Sequence, residues 1–503
     1  MLFNSYIFWV FFAVVFALYR VLPHRKQNLM LLAASYLFYG YWDWRFLFVM
    51  LYSTVIDYYA AIAIGREGQT KRRRKLILVT SMCVQLGLLA LFKYYAFFST
   101  EVVAVLARFG VPVSLPTLNL LLPVGISFYT FQTMSYTIDV YRGQFKPSKS
   151  FTEFALFVSF FPHLVAGPLV RATKLLPQIT NARVRRPEDF REGLYLVLTG
   201  LFKKVVVGDN LAAIANSIFN TPTSELSGME CLVGVYAFAF QIYGDFSGYS
   251  SIAQGVARWL NIDLSINFRM PYLATSPSDF WNRWHISLST WFRDYVYVPL
   301  ARRGGGRVTK ARLYSTQVIV MLLSGLWHGA AWTFVLWGLY HGLLLAGYRF
   351  YTETKQRILR KRRAADGAPP AAATGGATTA ATANATEEGS TLAGRLVAMF
   401  LMFHLVCLGW LLFRAESVGQ AWGMLARMFM DFRFTSFGVS CLALVLFYAA
   451  PLMIYEFWLD RREDLLELTR VRWLTRGLAY TYCALMLWFF PPPVSNVFIY
   501  FQF

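Results

Sequence analysis

The feature that most constrains this chain is the recurrence of apolar runs, many of them near 20 residues long, between short segments that carry basic residues. A helix needs about 20 apolar residues to cross the hydrocarbon core of a bilayer, where its backbone must satisfy its own hydrogen bonds. The chain is 57% hydrophobic and only 15% charged, whereas a soluble domain is nearer one quarter charged. These features predict an all-α, polytopic membrane protein surrounded by membrane lipid.

About ten to twelve transmembrane helices are predicted, because several of the candidate runs are short or interrupted. The candidate spans are residues 5–19, 28–42, 46–65, 76–97, 119–141, 205–220, 231–257, 313–326, 330–348, 396–413, 437–457 and 473–490. Residues 154–171 do not behave as a simple span, because their apolar part is short and contains Pro162 and His163. Irregular backbone survives at membrane depth only against protein or a watery cavity. This segment is therefore predicted to be re-entrant or half-buried.

The formal net charge of +21 comes from basic residues concentrated in short loops. That bias is typical of the cytoplasmic loops of membrane proteins. Arg414, Arg427 and Arg433 do not follow this charge bias, so the sequence does not fix the topology of the C-terminal third. The sequence shows no aromatic and basic module for stacking on single-stranded nucleic acid, so no nucleic-acid partner is predicted. The basic clusters lie at residues 66–75, 183–186, 301–312, 355–363 and 460–463.

One integral membrane domain is predicted over residues 1–503. Residues 364–391 are rich in Ala, Thr and Gly without apolar periodicity, which predicts a disordered cytoplasmic insert. The five cysteines are scattered, with no CxxC pair among them. They are interpreted as small apolar side chains, so neither a disulfide framework nor a metal site is predicted.

The stretch LLSGLWHGAAWTFVLWGLYHG, residues 322–342, carries two histidines in strongly apolar sequence. As one helix, the surrounding run of some 30 residues would reach about 45 Å, longer than the ~30 Å hydrocarbon core. Two segments that meet near GLWHGAA fit better, with Gly325 and Gly329 bracketing the break and His328 at an internal corner. An ionisable residue at such a place is a functional candidate, and the alternative is a buried histidine that only packs helices.

His341 follows His328 by 13 residues, which on one continuous helix is about 220° of rotation. The two rings would then not share a face, so a haem or metal pair would need a bent segment or a histidine from another helix. His341 therefore has a structural alternative, and its loss is expected to be milder than the loss of His328. A haem-binding redox protein is kept as one alternative function.

Residues 276–300, SPSDFWNRWHISLSTWFRDYVYVPL, show helical spacing of apolar residues and predict an amphipathic helix near the cytoplasmic interface. Its tryptophans favour an interfacial anchor. His285 beside Asn282, Arg283 and Trp284 favours the wall of a polar pocket instead. Elsewhere, Asp245 enters an otherwise apolar run, where it either lines a polar cavity or bonds one helix to another.

Five motifs occur in one order along the chain, and together they resemble the membrane-bound O-acyltransferase family. Within that family the chain is similar to the AlgI-like branch of bacterial polysaccharide O-acetylation. The resemblance implies a ring of tilted helices around a tunnel in the membrane, with a donor mouth on the cytoplasmic face and an acceptor mouth on the other. The motifs are SFFPHLVAGPLVR, QIYGDFSGYSSIAQG, DFWNRWHISLSTWFRDYVYVPL, LLSGLWHGAAWTFVLWGLYHG and FIYFQF.

The resemblance also implies roles for individual residues. His328, in the WHG motif, corresponds to the central catalytic residue of the family, and His285, in the RWHIS motif, to the second one. Histidine can take a proton from a hydroxyl near neutral pH, and a second imidazole can orient a thioester carbonyl or donate to its oxygen. The remaining candidates for the tunnel or the substrate are Trp281, Trp284 and Trp327 as walls, Arg283 as a contact for donor phosphate, and Asn282 and Asp245 as polar groups.

The implied activity is the transfer of acetyl groups across the bacterial inner membrane to an exported exopolysaccharide, alginate or cellulose. The donor is expected to be acetyl-CoA or another cytosolic acyl thioester, with no permanently bound cofactor. A periplasmic acetyltransferase partner with a serine nucleophile is expected to complete the pathway. Two alternatives stay open: transfer of D-alanine to teichoic acid within the same superfamily, and a non-enzymatic transporter of polysaccharide or lipid, for which paired broken helices in inverted repeats would be the sign.

Overall fold

The computed structural model describes residues 1–111, 113–114, 120–165, 167–303, 308–365, 391–492 and 499. These residues form helices joined by short connections, and none of them lies in a β-strand. The all-α prediction is therefore confirmed. The predicted disordered insert falls almost entirely on residues 366–390, which lie outside the described part of the chain.

The chain divides into two compact units. The first consists of Met1–Ala213, Phe240–Asn267 and Asp464–Phe503, and the second of Ile214–Ala239 and Phe268–Glu463. The prediction of one membrane domain over the whole chain stays a prediction. The helices of the first unit are Tyr6–Val21, His24–Gly40, Phe46–Gly65, Lys71–Leu89, Tyr95–Arg108, Ile126–Tyr141, Phe151–Ser159, Phe161–Leu164, Ala172–Thr180, Pro187–Leu201, Glu467–Arg470 and Trp473–Phe489.

The second unit carries the segments with the two motif histidines. The helices Asn210–Phe219 and Gly228–Trp259 contribute residues to both units. The other helices of the second unit are Pro277–Arg283, Ile286–Phe292, Val298–Ala301, Lys310–His328, Trp332–Ala365, Leu392–Arg414, Val418–Met430 and Ser436–Arg462.

Four described segments are long and apolar enough to cross a membrane: Phe46–Gly65, Lys71–Arg108, Leu392–Arg414 and Ser436–Arg462. Large apolar side chains on these helices, such as Phe48 and Phe400, are more than half exposed. Exposed apolar surface of this extent is unfavourable in water, whereas contact with lipid chains removes it from water. The chain is therefore a multi-pass membrane protein, as the apolar runs predicted.

The second of these segments is longer than the predicted span 76–97. The helix Lys71–Leu89 continues through a π-helical turn, Ala90–Tyr94, into the helix Tyr95–Arg108. The predicted span stopped at residue 97, whereas the helical segment begins in the basic residues 71–75 and continues through the apolar residues 102–107 to Arg108. The π-turn adds one residue to the helical repeat and shifts the face that follows it.

The segment 154–171 is irregular and buried, which agrees with its prediction. The helix Phe151–Ser159 stops where Phe160 leaves the helical region, and one turn, Phe161–Leu164, follows before the chain becomes extended. His163 is buried, and its Nε2 lies 3.0 Å from Oε1 of Gln132. The amide of Gln132 in turn donates to the carbonyl of Phe157. The broken segment thus packs against protein and shares side-chain hydrogen bonds with the helix Ile126–Tyr141, as irregular backbone at membrane depth requires protein or water around it.

The topology of the C-terminal third follows from two antiparallel spans. Arg395, near the start of Leu392–Arg414, forms an ion pair at 2.6 Å with Asp460, near the end of Ser436–Arg462. Residues 414–436 therefore connect the opposite ends of these two helices. The arginines that did not fit the charge bias are partnered there: Arg414 donates to Asn216, and Arg427 and Arg433 pair with Asp431.

Candidate active site

His328 is the last residue of a helix, at a sharp corner between two closely packed helices. Lys310–His328 ends there, Gly329 is extended, and the next helix begins at Trp332. Glycines allow this packing. A Cβ on Gly325 would overlap the carbonyl oxygen of Phe334, and a Cβ on Gly338 would overlap that of Met321. The predicted break is confirmed, and small residues at the contact explain how two backbones approach so closely.

Aromatic rings surround the His328 side chain, which is 4% exposed. Its ring centroid lies 4.8 Å from that of Trp327, 5.0 Å from that of Trp337 and 5.2 Å from that of Phe413. Phe413 comes from the helix Leu392–Arg414, far away in the sequence. These rings exclude bulk water from the imidazole and lower the local dielectric constant, which strengthens any polar interaction made there.

His285 occupies a backbone conformation that is unusual for a residue with a side chain. Its φ of 42° and ψ of 52° lie in the left-handed region, and it caps the helix Ile286–Phe292, with its carbonyl accepting from the amides of Leu288 and Ser289. A non-glycine residue held in this region stores roughly 1–3 kcal/mol of strain and is found most often at functional sites. The turn directs the imidazole inward, where it is 1% exposed.

This turn corrects the prediction of one amphipathic helix over residues 276–300. The segment is broken at Trp284 and His285 into the helices Pro277–Arg283 and Ile286–Phe292, followed by a π-helical turn. Trp284 is 1% exposed and packs against Phe268 and Trp410, so this part is buried and not an interfacial anchor. Helical spacing over the segment hid the break because both sides of the turn are themselves helical.

Trp327 brings the two motif histidines together. Its ring centroid lies 6.0 Å from that of His285 and 4.8 Å from that of His328. Both imidazoles therefore pack near one indole in a buried pocket. They are 43 positions apart in the sequence, and only the close approach of their helices places them near the same ring.

A cavity of about 330 Å³ lies beside this pocket, within the second unit. Trp281 and Asn282 line it, together with Arg293, Arg349 and Ser324. Ser324 precedes His328 by one helical turn, and the two motif histidines themselves do not line the cavity. Its size is near the lower end of the range of small-molecule pockets, roughly 300–1,000 Å³. Trp281 and Asn282 thus lie where the predicted substrate residues were expected, at the wall of a cavity.

The polar rim of this cavity carries paired charges. Arg349 donates to Glu353 and to the hydroxyl of Tyr297, both at 3.1 Å. Lys310 also contacts Glu353, at 2.7 Å, and this hydrogen bond holds the pKa of the Glu353 carboxyl below its ordinary value. Glu353 therefore stays charged and orients Arg349, while Arg293 at the same rim has a side chain that is 61% exposed.

Arg283 does not face this cavity. Its guanidinium bonds Asp279 at 2.7 Å and Asp460 at 2.8 Å, and its carbonyl accepts from the amide of Arg269. Arg283 is therefore anchored at both ends, two residues before the strained turn at His285. This arrangement positions the RWH segment, and it leaves the predicted contact with donor phosphate without structural support.

Asp245 lies in the first unit, in a buried ion network. Lys204 contacts Asp245 and Asp209, each at 2.7 Å, and the amide of Ile499 donates to the other oxygen of Asp245 at 2.7 Å. Of the two alternatives for Asp245, these contacts correspond to bonding between segments. Ile499 is the one described residue of the FIYFQF motif.

Sequence reasoning gave no role to several rings of this pocket. Trp337 could have been found, because it precedes His341 by four residues on the helix Trp332–Ala365 and so shares its face. Trp410 and Phe413 carried no such signal, since they come from a distant helix that appears only as a membrane span. Gly409 on that helix lets His341 approach, because a Cβ there would lie 2.6 Å from its Nε2.

Comparison with known proteins identifies the family of this chain. The model of the MBOAT, membrane-bound O-acyltransferase, family matches residues 42–378. The chain is 39% identical to the probable alginate O-acetylase AlgI of Azotobacter vinelandii, over 85% of this chain and 78% of that protein. It is 30% identical to the peptidoglycan O-acetyltransferase of Helicobacter pylori, over 100% and 98%. The teichoic acid D-alanyltransferase of Bacillus subtilis is 29% identical over 48% and 62%. A match over more than half of the chain, with relatives along nearly its full length, shows that this chain belongs to the membrane-bound O-acyltransferase family and is an O-acyltransferase.

Proposed function

We propose that this protein transfers acetyl groups from a cytosolic thioester toward an exported polysaccharide. The observation that carries the proposal is that His285 and His328 both lie near Trp327, at ring-centroid distances of 6.0 and 4.8 Å, in a buried aromatic pocket beside a cavity with arginines at its rim. Acyl transfer needs a base for the acceptor hydroxyl and donors for the carbonyl oxygen of the thioester. Neutral imidazoles in a dry pocket suit both tasks.

In the proposed reaction His328 takes the proton of the acceptor hydroxyl as the oxygen attacks the carbonyl carbon of the thioester. The new C–O bond forms, and the electron pair of the C=O bond moves to the carbonyl oxygen. Collapse of this intermediate breaks the C–S bond, and the departing thiolate receives the proton from the His328 imidazolium. His285, whose ring also lies near Trp327, orients a reactant. The aromatic walls keep water from hydrolysing the thioester.

The donor enters through the cavity of about 330 Å³. The rim of this cavity is on the helix that carries Arg349 and then the basic residues 355–362, which the charge bias of membrane proteins assigns to the cytoplasm. Its volume suits the thioester end of a donor better than a whole nucleotide-bearing carrier. Acetyl-CoA, with its phosphates outside near Arg293, fits this arrangement, and so does an acylated carrier protein.

The acceptor is proposed to be an exported bacterial polysaccharide, and the protein to act in the inner membrane. The relatives named for alginate and for peptidoglycan both modify glycans, and alginate is favoured over cellulose because AlgI relatives align over most of the chain. A periplasmic acetyltransferase partner is proposed to carry the acetyl group from this chain to the polymer. The D-alanyl alternative has less support, because that relative aligns over less than half of this chain.

The test uses purified protein in proteoliposomes with acetyl-CoA labelled in its acetyl group. Release of free thiol and transfer of label to a glycan or partner support an acetyltransferase. Transfer of labelled D-alanine from a D-alanyl carrier protein, with no transfer from acetyl-CoA, would support the D-alanyl alternative. Intact thioester, together with movement of labelled polysaccharide across the bilayer, would support a transporter and overturn the proposal.

A further inference from the structure

Three aromatic rings form a cluster between the cavity and His328. One ring belongs to Trp281, which lines the cavity. The other two belong to Trp337 and His341, which are one helical turn apart on the helix Trp332–Ala365. The ring centroids of Trp337 and His341 are 4.9 Å apart, those of Trp281 and His341 5.3 Å, and those of Trp281 and Trp337 5.8 Å. All three rings therefore touch one another.

Each ring of this cluster carries a buried nitrogen without a hydrogen-bond partner among the described residues. These atoms are Nε1 of Trp281, Nε1 of Trp337 and Nδ1 of His341. A buried polar atom left unpaired loses the hydrogen bonds it would make in water, and such atoms are rare in folded proteins. Three of them in adjacent rings are therefore more simply explained by a polar group of a substrate than by packing alone.

The same unit contains a histidine that shows the opposite behaviour. In His404 one nitrogen lies 2.7 Å from the hydroxyl of Tyr236, and the other lies 2.8 Å from the carbonyl oxygen of Phe400. Its ring is thus fully bonded to the protein, as a structural histidine is expected to be. His341 is 1% exposed, and its Nδ1 has no hydrogen-bond partner among the described residues. The sequence left His341 a structural alternative, and its surroundings now distinguish it from His404.

The location of the cluster indicates which substrate group it meets. On one side Trp281 lines the cavity proposed for the thioester donor. On the other side the Trp337 ring centroid lies 5.0 Å from that of His328. The three rings thus link the cavity to His328 through direct contacts, and an acyl group that moves along this line meets them. Its one strong hydrogen-bond acceptor is the carbonyl oxygen, which matches the indole N–H donors.

We propose that Trp281, Trp337 and His341 bind the carbonyl oxygen of the acyl thioester and stabilise the negative charge that forms on it. This inference rests on the proposed acyltransferase function and adds His341 to the catalytic residues. When the acceptor oxygen attacks, the C=O electron pair moves to this oxygen and is met by the two indole N–H groups and by N–H at Nδ1 of His341. The charge is lost when the carbonyl re-forms and the C–S bond breaks.

The inference also assigns His341 and His285 to different reactants. The donor carbonyl lies next to Trp337 and His341, whose rings are in contact. His285, whose ring lies near Trp327, is then left to orient the acceptor hydroxyl. The oxyanion donors and the second motif histidine thus serve different reactants.

The test compares Trp337→Phe, Trp281→Phe, His341→Phe and His341→Gln, each measured for kcat, for KM of acetyl-CoA and for thermal midpoint. Loss of one oxyanion donor lowers kcat by about 10²–10³-fold in enzymes of known mechanism. We expect about a 10²-fold fall in kcat for Trp337→Phe and His341→Phe, with KM changed by less than about threefold. His341→Gln keeps an N–H donor and should recover part of the loss.

Two matched controls accompany these variants. Trp332→Phe, in the same helical hairpin but 54% exposed, and His404→Gln should both keep near wild-type kcat. If kcat of Trp337→Phe and His341→Phe stays within about threefold of the wild type, or falls only as far as folded protein is lost, the inference is overturned. His328→Ala distinguishes failure of this inference from failure of the proposed function. If His328→Ala is inactive and the cluster variants are active, only this inference is overturned. If His328→Ala is active, the proposed function is overturned.

Discussion

The two units hold buried polar groups in opposite ways. In the first, Lys204 sits between the carboxylates of Asp209 and Asp245, so that opposite charges meet at 2.7 Å. In the second, the nitrogens of Trp281, Trp337 and His341 are buried without a partner among the described residues. In the first network, opposite charges of the protein meet one another. The second leaves hydrogen-bonding capacity that a substrate can use.

The difference teaches where to expect structural and chemical roles for polar residues in membrane segments. A buried ion network costs desolvation energy that only its internal partners offset, so it contributes when complete and destabilises when broken. Donors held in a low-dielectric pocket are costly for the resting protein and strong toward a charge that appears during reaction. A polar residue in an apolar run is therefore not informative until its partners are known.

The largest expected effect is that of His328→Ala, which tests the chemical side of the comparison. Loss of the proposed base should lower acetyl transfer by about 10³-fold, since general base catalysis contributes roughly 10²–10⁴-fold. The thermal midpoint in detergent should change little, because Trp327 and Trp337 keep the pocket walls. Acetyl transfer near the wild-type rate in this variant would contradict the assignment of the site.

Lys204→Met tests the structural side. It leaves two buried carboxylates without their cation, which should destabilise the protein by about 3–5 kcal/mol. The measurement is the thermal midpoint and the amount of protein in the membrane. Lys203→Met is the matched control, because this neighbour is partly exposed and packs over Tyr243, so its loss should be mild. Equal stability of the two variants would show that the ion network contributes nothing.

Arg283→Ala decides between a positioning role and contact with the donor. Arg283 is anchored by Asp279 and Asp460 before the left-handed turn at His285, so its loss should misplace that imidazole. We expect kcat to fall roughly tenfold with an unchanged KM for acetyl-CoA, because small misplacements of a reacting group are costly. A raised KM with unchanged kcat would restore the contact with donor phosphate predicted from the sequence.

The smallest effect is expected for Arg293→Ala at the cavity rim. Its side chain is 61% exposed and already paired with Asp294, so solvent and salt screen its charge. KM for acetyl-CoA should rise by about threefold at low salt, and the difference should shrink as the ionic strength increases. The same KM in both proteins at low salt would place the donor phosphates elsewhere.

Several features of the site were predictable because they follow from local constraints. The helix break at His328 followed from the length of the apolar run and from the glycines beside it. The buried irregular segment around Pro162 and His163 followed from its short apolar part. The break at His285 was missed, because spacing cannot reveal one left-handed residue between two short helices. The bonds of Arg283 were also missed, since Asp460 lies on a distant helix.

By itself the sequence determined that this chain lies in a membrane and that it is helical. It also showed that His328 and His341 lie in apolar sequence, where lipid would not tolerate them. Hydrophobicity and helical length are properties of short segments, and so they can be evaluated without the fold. The tertiary structure alone decided which polar groups are paired and which are open, because hydrogen bonds and ion pairs join residues far apart in the chain. Asp245 therefore belongs to a buried ion network. His341, whose loss was expected to have the milder effect, instead lies in the same aromatic pocket as His328, and its Nδ1 has no hydrogen-bond partner among the described residues.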